Sequence, residues 1–285
     1  CQYAPPHPFE VNVPQTFSKL RVESYERFAW PGFMARAFHR NGLVLSLVIA
    51  VGLALVIGLT FGLQDPAIIF GAHSGEGSFY RVIPYEAMVW PFGLVFLFSI
   101  FAMIMGGVHY WRSVARQANV TLSLSAILGG VWDVLTLKNL GGGGGGCTYP
   151  DERASQDRRR FHHFTFYGFM LCFAATSVAT IYDHVFGWIA PYAFTSIPVM
   201  LGLVGSIGLL IGPAGLLSLK MQADPAPQAQ DLKGMDVALL VLLFLVSLTG
   251  LVLLFLRETN AKGTLLAIHL GFVLAFFLTL PYAKM

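Results

Sequence analysis

LVLSLVIAVGLALVIGLTFGL, residues 43–63, runs for twenty-one residues without a charged side chain. A helix needs about 20 apolar residues to cross the hydrocarbon core of a bilayer, and five further stretches reach that length: 89–111, 162–186, 195–219, 235–256 and 262–281. The composition agrees. Apolar residues make up 55% of the 285 and charged residues 12%, where a soluble domain carries about a quarter charged residues. The expected fold is an all-α integral membrane bundle of about six transmembrane helices, which excludes a soluble enzyme.

Six spans put both termini on one side, and Lys and Arg decide which. Of eighteen, fifteen lie in 1–42, 112–161, 220–234 and 282–285, and the opposite loops hold only Arg81, Arg257 and Lys262. The positive-inside rule then makes both termini cytoplasmic. The net charge of +3 follows from this topology, and no nucleic-acid partner is expected. No charged n-region with a cleavage site opens the chain, so no signal peptide is expected.

The cytoplasmic loop 112–161 has two parts. Residues 122–140, apolar over most of a helical circumference with only Asp133 and Lys138 charged, read as a helix lying in the interface. Gly141 to Gly146 read as a flexible linker, with a phosphate nest as the alternative. No Gly-Lys-Ser/Thr ending supports a nucleotide loop. Gln222 to Lys233, with Pro225 and Pro227, is a polar connector.

Three cysteines give no disulfide framework. Cys172, mid-span, reads as a small core hydrophobe, and Cys147 as a structural thiol without a C-x-x-C companion. Cys1, followed closely by prolines, has the setting of the last ligand of a ferredoxin-type cysteine run.

Histidines carry the candidate chemistry, because an imidazole in hydrocarbon must find a partner or stay near the interface. His163 and His184 bracket the third span, roughly 31 Å apart at helical rise, and His184 falls within about 60° of His163 or His162 around the axis. His109 ends the second span and joins His162 and His163 at the cytoplasmic side. His269, about a third of the way into the last span, joins His184 at the outer side. Two groups at two depths have the layout of a protein holding b haem between helices by bis-imidazole ligation. Each histidine also has a plain reading. His162 and His163 beside Arg158, Arg159 and Arg160 suit headgroup-facing residues, His109 in Gly-Gly-Val-His-Tyr-Trp suits an aromatic belt, and His184 after Asp183 suits a satisfied interfacial ring. His269, inside apolar sequence, is the hardest to explain as filler.

Several long stretches resemble the tricarballylate and citrate utilisation protein B family. They are Asn139-Leu140 with the glycine run, Cys147-Thr148-Tyr149-Pro150-Asp151-Glu152, Phe161 to Phe169 (FHHFTFYGF), Phe173 to Thr180 (FAATSVAT), Cys1 to His7 with Asn12-Val13-Pro14, and Leu280-Pro281-Tyr282-Ala283-Lys284. The resemblance covers essentially the whole chain. It implies a membrane electron-transfer protein with 4Fe-4S clusters and haem b. Such a protein takes electrons from a flavin-dependent dehydrogenase acting on tricarballylate or a related tricarboxylate and passes them to quinone, in the bacterial inner (cytoplasmic) membrane. Members of the family begin with a domain holding two ferredoxin-like cysteine motifs. Cys1 matches the last of these cysteines, so 1–42 is expected to be the remnant of that domain with its linker, and 43–285 the haem-binding transmembrane domain. The family pattern also continues beyond Lys284 into a histidine, and if that histidine is a ligand the cytoplasmic group lacks one partner here.

Two other classes stand beside this reading. A tricarboxylate transporter needs mid-bilayer cations or broken helices, yet no Lys or Arg lies inside a span, and Pro213 between Gly212 and Gly215 is the one tempting break. A non-redox membrane anchor subunit would show no Soret absorbance.

Overall fold

The computed structural model describes residues 6–39, 42–118, 123–148, 151, 153–226, 228 and 233–283. Two helices precede the first span. In α1 (Val13–Phe28) the Asn12 side chain accepts from the Gln15 amide as an N-cap, with Pro14 in the first turn. A short α2 (Gly32–His39) follows. The segment expected as remnant and linker is therefore largely helical, and Cys1 lies outside the described residues.

α3 (Gly42–Leu63) is the first span. The following loop carries α4 (Pro66–Ile69), capped by the Asp65 side chain on the Ala67 amide, and α5 (Ser78–Val82). α6 (Tyr85–Ala118) runs 34 residues, well past the expected 89–111 at both ends. At about 1.5 Å per residue that is roughly 51 Å, against a hydrocarbon core of about 30 Å. Its end with Trp111, Arg112 and Arg116 is the kind that continues helical through the headgroups, where backbone bonds stay satisfied and long cationic side chains reach water.

The expected interfacial helix is shorter than its sequence suggested. α7 (Leu124–Leu135) is capped by Ser123 and stops where Thr136 closes the last turn and Leu137 takes a left-handed conformation, φ 46°. None of its residues is buried within the protein. Two bonds tie it to the next span: the Tyr167 hydroxyl donates to the Leu135 carbonyl at 2.7 Å, and an Arg159 Nη donates to the Thr136 carbonyl at 2.8 Å.

The glycine run is more ordered than a linker. Its amides fold back on Gly141, from Gly144 at 2.8 Å and from Gly146 at 3.2 Å. A two-strand ribbon then pairs β1 (Cys147–Thr148) antiparallel with β2 (Ala154–Ser155). Gly146, at φ +100°, brings its backbone so close to β2 that a Cβ would lie 2.6 Å from the Ser155 carbonyl oxygen.

The remaining spans are α8 (Asp157–Phe186), α9 (Ile197–Gln222), α10 (Lys233–Leu256) and α11 (Lys262–Thr279). Among the described residues six helices are long and apolar enough to cross a membrane, which makes the molecule an all-α membrane bundle. α8 and α9 make the most extensive contact, followed by α3 with α11 and by α10 with α9 and α11. Small residues allow the first of these. A Cβ at Gly168 would lie 2.8 Å from the Gly205 carbonyl oxygen, and a Cβ at Gly205 2.8 Å from the Cys172 amide. This is close approach through glycine in place of hydrophobic drive, which lipid does not supply. Cys172 lies in that contact as the small core residue expected.

The core gathers Leu209, Leu242, Leu243, Ala275 and Phe276 from α9, α10 and α11, with α11 the most enclosed span. On the face opposite the Arg158–Arg160 run, two cations anchor the loops. Lys262, fully buried, donates from Nζ to the Ser78 hydroxyl at 2.9 Å and to the His73 carbonyl. Arg257, 7% exposed, donates to the Tyr192 carbonyl at 2.8 Å and stacks over Phe194 at 4.2 Å. Read as loop charges in the sequence, both are internal ties.

Candidate functional site

His269 has the most complete surroundings. It sits on α11 facing α10, with Nδ1 3.1 Å from the Thr249 hydroxyl oxygen. That hydroxyl has a single proton, which it donates back to the Leu245 carbonyl at 2.7 Å, sharing it with Val246 at 3.1 Å. The imidazole also hydrogen-bonds the Val246 backbone, so its ring proton is assigned to the side that faces α10. This is how protein metal sites orient a ligating histidine. Gly250 makes room for the ring: a Cβ there would lie 3.0 Å from His269 Cε1.

His184 has a different partner. Its Nε2 lies 2.9 Å from the Tyr85 hydroxyl at the start of α6, with the two rings edge to face at 6.2 Å. Tyr85 also hydrogen-bonds Asp183. The two histidines expected to form one outer pair are thus held by separate helices, α6 and α10. Around Asp183 the structure assembles Tyr80, whose ring meets Tyr85 edge-on at 5.2 Å, and Tyr192. Burial and, next, the Asp183 carboxylate push the Tyr80 phenol up to about 12; burial and Asp183 likewise raise Tyr192.

The sign gives a test. A folded-state value above the ordinary 10.0 favours the protonated phenol in the fold, so this contribution to stability is intact below pH 10 and is lost between pH 10 and about 12. Ultraviolet titration of the folded protein is expected to show a late tyrosinate component that disappears in Tyr80→Phe. A titration curve unchanged by that substitution would reject the assignment.

On the arginine face His163 stacks parallel on Tyr167, centroids 5.7 Å apart at 12°, and lines a cavity with Gln156, Arg159 and Arg160. His162, half-buried, precedes it on α8. His109, half-buried on α6, stands near the end of α1: the Phe28 carbonyl oxygen is 3.3 Å from where a Cβ of Gly106 would lie, and Phe28 meets Tyr110 edge-on. Among the described residues no three His, Cys, Asp or Glu side chains form a metal cluster. The backbone of Cys147 lies in β1. α6 and α8, which carry His109, His162, His163 and His184, are the least enclosed of the six spans, so their histidine-bearing surfaces are open to whatever shares the bilayer with them.

Sequence reasoning missed the partners. Tyr85, Thr249 and Gly250 come from other helices, and only the adjacent Thr249-Gly250 pair in an otherwise aliphatic span gave any signal.

These features define a polytopic α-helical membrane protein in which two histidines, His184 and His269, meet hydroxyls of neighbouring helices. A family model described as citrate utilization protein B matches residues 36–285, and the chain belongs to that family. Citrate utilization protein B of Escherichia coli is 44% identical over 290 residues, an alignment that takes in 100% of this chain and 74% of the relative. No solved structure matches the chain.

Proposed function

We propose that this chain is the membrane part of a citrate- or tricarballylate-type utilisation system that carries electrons from a flavin-dependent dehydrogenase, through iron–sulfur clusters, to quinone by way of b haem held between its helices. The observation that supports the reading is His269, an imidazole inside an apolar span that the Thr249 hydroxyl and the Val246 backbone of α10 hold in place. A haem on the face opposite the arginines would take His269 and His184, the latter once its Nε2 leaves the Tyr85 hydroxyl, and one on the arginine face would draw on His109, His162 and His163. Once bound, b haem supplies a one-electron carrier within the bilayer. The chain's own part is to hold the imidazole against α10, to leave the ring space at Gly250, and to keep water from α11 by packing. Cys1 would contribute to a cluster in the context of a ferredoxin-like domain.

The Lys and Arg distribution supports insertion in the bacterial inner membrane with both termini cytoplasmic. Electrons then enter on the arginine face, and quinone is reduced near that interface beside His162 and His163. A pyridine haemochrome assay on detergent-purified, folded protein tests the haem directly, with at least one non-covalent b haem per chain expected. Folded protein without haem would sink the proposal.

Electron entry has its own test. Replacing Arg153 and Arg158 by Gln is expected to slow reduction by a soluble dehydrogenase at low ionic strength roughly threefold or more, and to have little effect in high salt. Equal rates at all salt concentrations would move the docking surface elsewhere.

A further inference from the structure

Among the described residues, nothing covers one face of α1. Val13, Phe17 and Leu20 recur along it at i, i+4 and i+7 and lie within about 60° of one another around the axis. All three are exposed, Phe17 at 66%. The opposite side is the polar one: Gln15, Ser18 and Glu26 are half-buried there around Val22, which is 3% exposed. A helix on a water-facing surface puts its apolar stripe inward. α1 is turned the other way, and the exposed Arg21 and Arg27 flank its outward stripe.

Position says what lies outside that stripe. At one end the Asn12 side chain donates to the Ala226 carbonyl at 2.8 Å, in the loop between α9 and α10, which ties α1 to the arginine face. At the other end the chain descends. Trp30 meets the rings of Phe98 and Phe101 at 6.3 and 5.1 Å. Those residues stand roughly 20 and 24 Å along α6 from Tyr85, short of the about 30 Å that a hydrocarbon core measures. From the other direction, Ala29, Met34 and Ala35 pack with Leu45 and Val48 in the first two turns of α3, and with Tyr282 just after α11. Both routes put the turn below the headgroups.

Backbone outside a helix is tolerated at that depth only where its polar groups are taken up. Here the Tyr282 hydroxyl donates to the Trp30 carbonyl at 3.2 Å, the Pro31 carbonyl accepts from the Met34 and Ala35 amides at 3.1 and 3.3 Å, and the Ala29 amide donates to the Tyr25 carbonyl at 3.0 Å. Phe33, just past the turn, is exposed beside the apolar spans.

We propose that α1 and α2 form a helical hairpin seated in the bilayer leaflet of the arginine face, with Val13, Phe17 and Leu20 among acyl chains, Arg21 and Arg27 at headgroup phosphates, and the Trp30-Pro31 turn below them. The partner is the lipid surface, continuous with the bilayer-facing sides of α3 and α6 and matched in charge by the two arginines. The segment ahead of the first span is then an anchor in its own right.

Nitroxide labels on single cysteines test this, in the full chain with Cys1, Cys147 and Cys172 replaced by Ala and reconstituted in vesicles of phosphatidylethanolamine and phosphatidylglycerol. Collision is measured with oxygen, which concentrates among acyl chains, and with a water-soluble nickel chelate. Phe17→Cys, Leu20→Cys and Phe33→Cys are expected to give an oxygen-to-chelate ratio severalfold above that of Lys19→Cys on the polar flank, with Phe33→Cys the highest. Chelate reaching positions 17 and 20 as readily as 19 puts the stripe in water. Low collision with both reagents means that protein, a second copy or another domain, covers it. Either result overturns the proposal, and a chelate-accessible position 33 overturns the inserted turn. All four labelled side chains are exposed, and an unfolding midpoint equal to that of the unlabelled chain confirms that each label sits on folded protein. Haem plays no part in the readout, so the result stands apart from the electron-transfer reading.

Discussion

His269→Ala is expected to remove at least one haem equivalent per chain, read as lost Soret and α-band absorbance in the reduced-minus-oxidised spectrum. The substitution deletes the imidazole that Thr249 holds against α10. A gentler companion isolates the orienting bond. Thr249→Val keeps the shape of α10 and the imidazole, and removes one of its two partners there, the Val246 backbone being the other. Losing such a supporting bond typically weakens metal affinity about 10–100-fold, so haem in Thr249→Val should be retained at purification and lost on dilution or competition with apomyoglobin. Gly250→Leu approaches the ring from the other side and should give the same phenotype by steric displacement. Full haem content with an unchanged midpoint potential in His269→Ala would make the imidazole structural.

The second large effect is on folding. Gly168→Val should markedly lower the unfolding midpoint of the purified protein. A Cβ at this position meets the Gly205 carbonyl oxygen at 2.8 Å and the Leu209 amide at 2.9 Å, and both are helix backbone that cannot rotate away. Overpacking a well-packed contact costs about 1–3 kcal/mol, and more when the obstacle is rigid. Gly58 is the control: nothing lies within 4 Å of a Cβ there, so Gly58→Ala should change the midpoint little. Equal midpoints for Gly168→Val and Gly58→Ala would show that α8 and α9 can separate without loss.

Most of the fold was legible because crossing a bilayer demands one thing of a helix, about 20 apolar residues in a row, and hydropathy reads that demand directly. Helix ends were less legible. α6 and α8 continue through charged tails such as Arg112–Arg116 and Asp157–Arg160, where a hydropathy window stops but the backbone has no reason to. The end of α7 was set by a left-handed Leu137 that no propensity announces. For the site, the histidines could be picked out and their partners could not, because which hydroxyl faces each ring depends on how helices far apart in the chain are packed. The glycine run misled for a related reason: six glycines permit many conformations, and only the positions of Gly146 beside Ser155 and Gly141 beside Arg159 select one.

The buried Lys262 has a consequence for how the molecule is made. Among the described residues its ammonium donates to the His73 carbonyl and the Ser78 hydroxyl and lies over the Phe79 ring, groups of a loop synthesised long before α11 emerges. α11 packs in turn against α3, the earliest of the spans to be translated. A nascent chain holding α3 to α10 has a seat without its occupant, and a Lys262 that missed it would remain at the membrane surface, where a lysine at a helix end reaches water. Lys262 therefore acts as a latch between α11 and that loop. The late span enters a groove that older spans have already built, and its first residue locks the loop that guided it there.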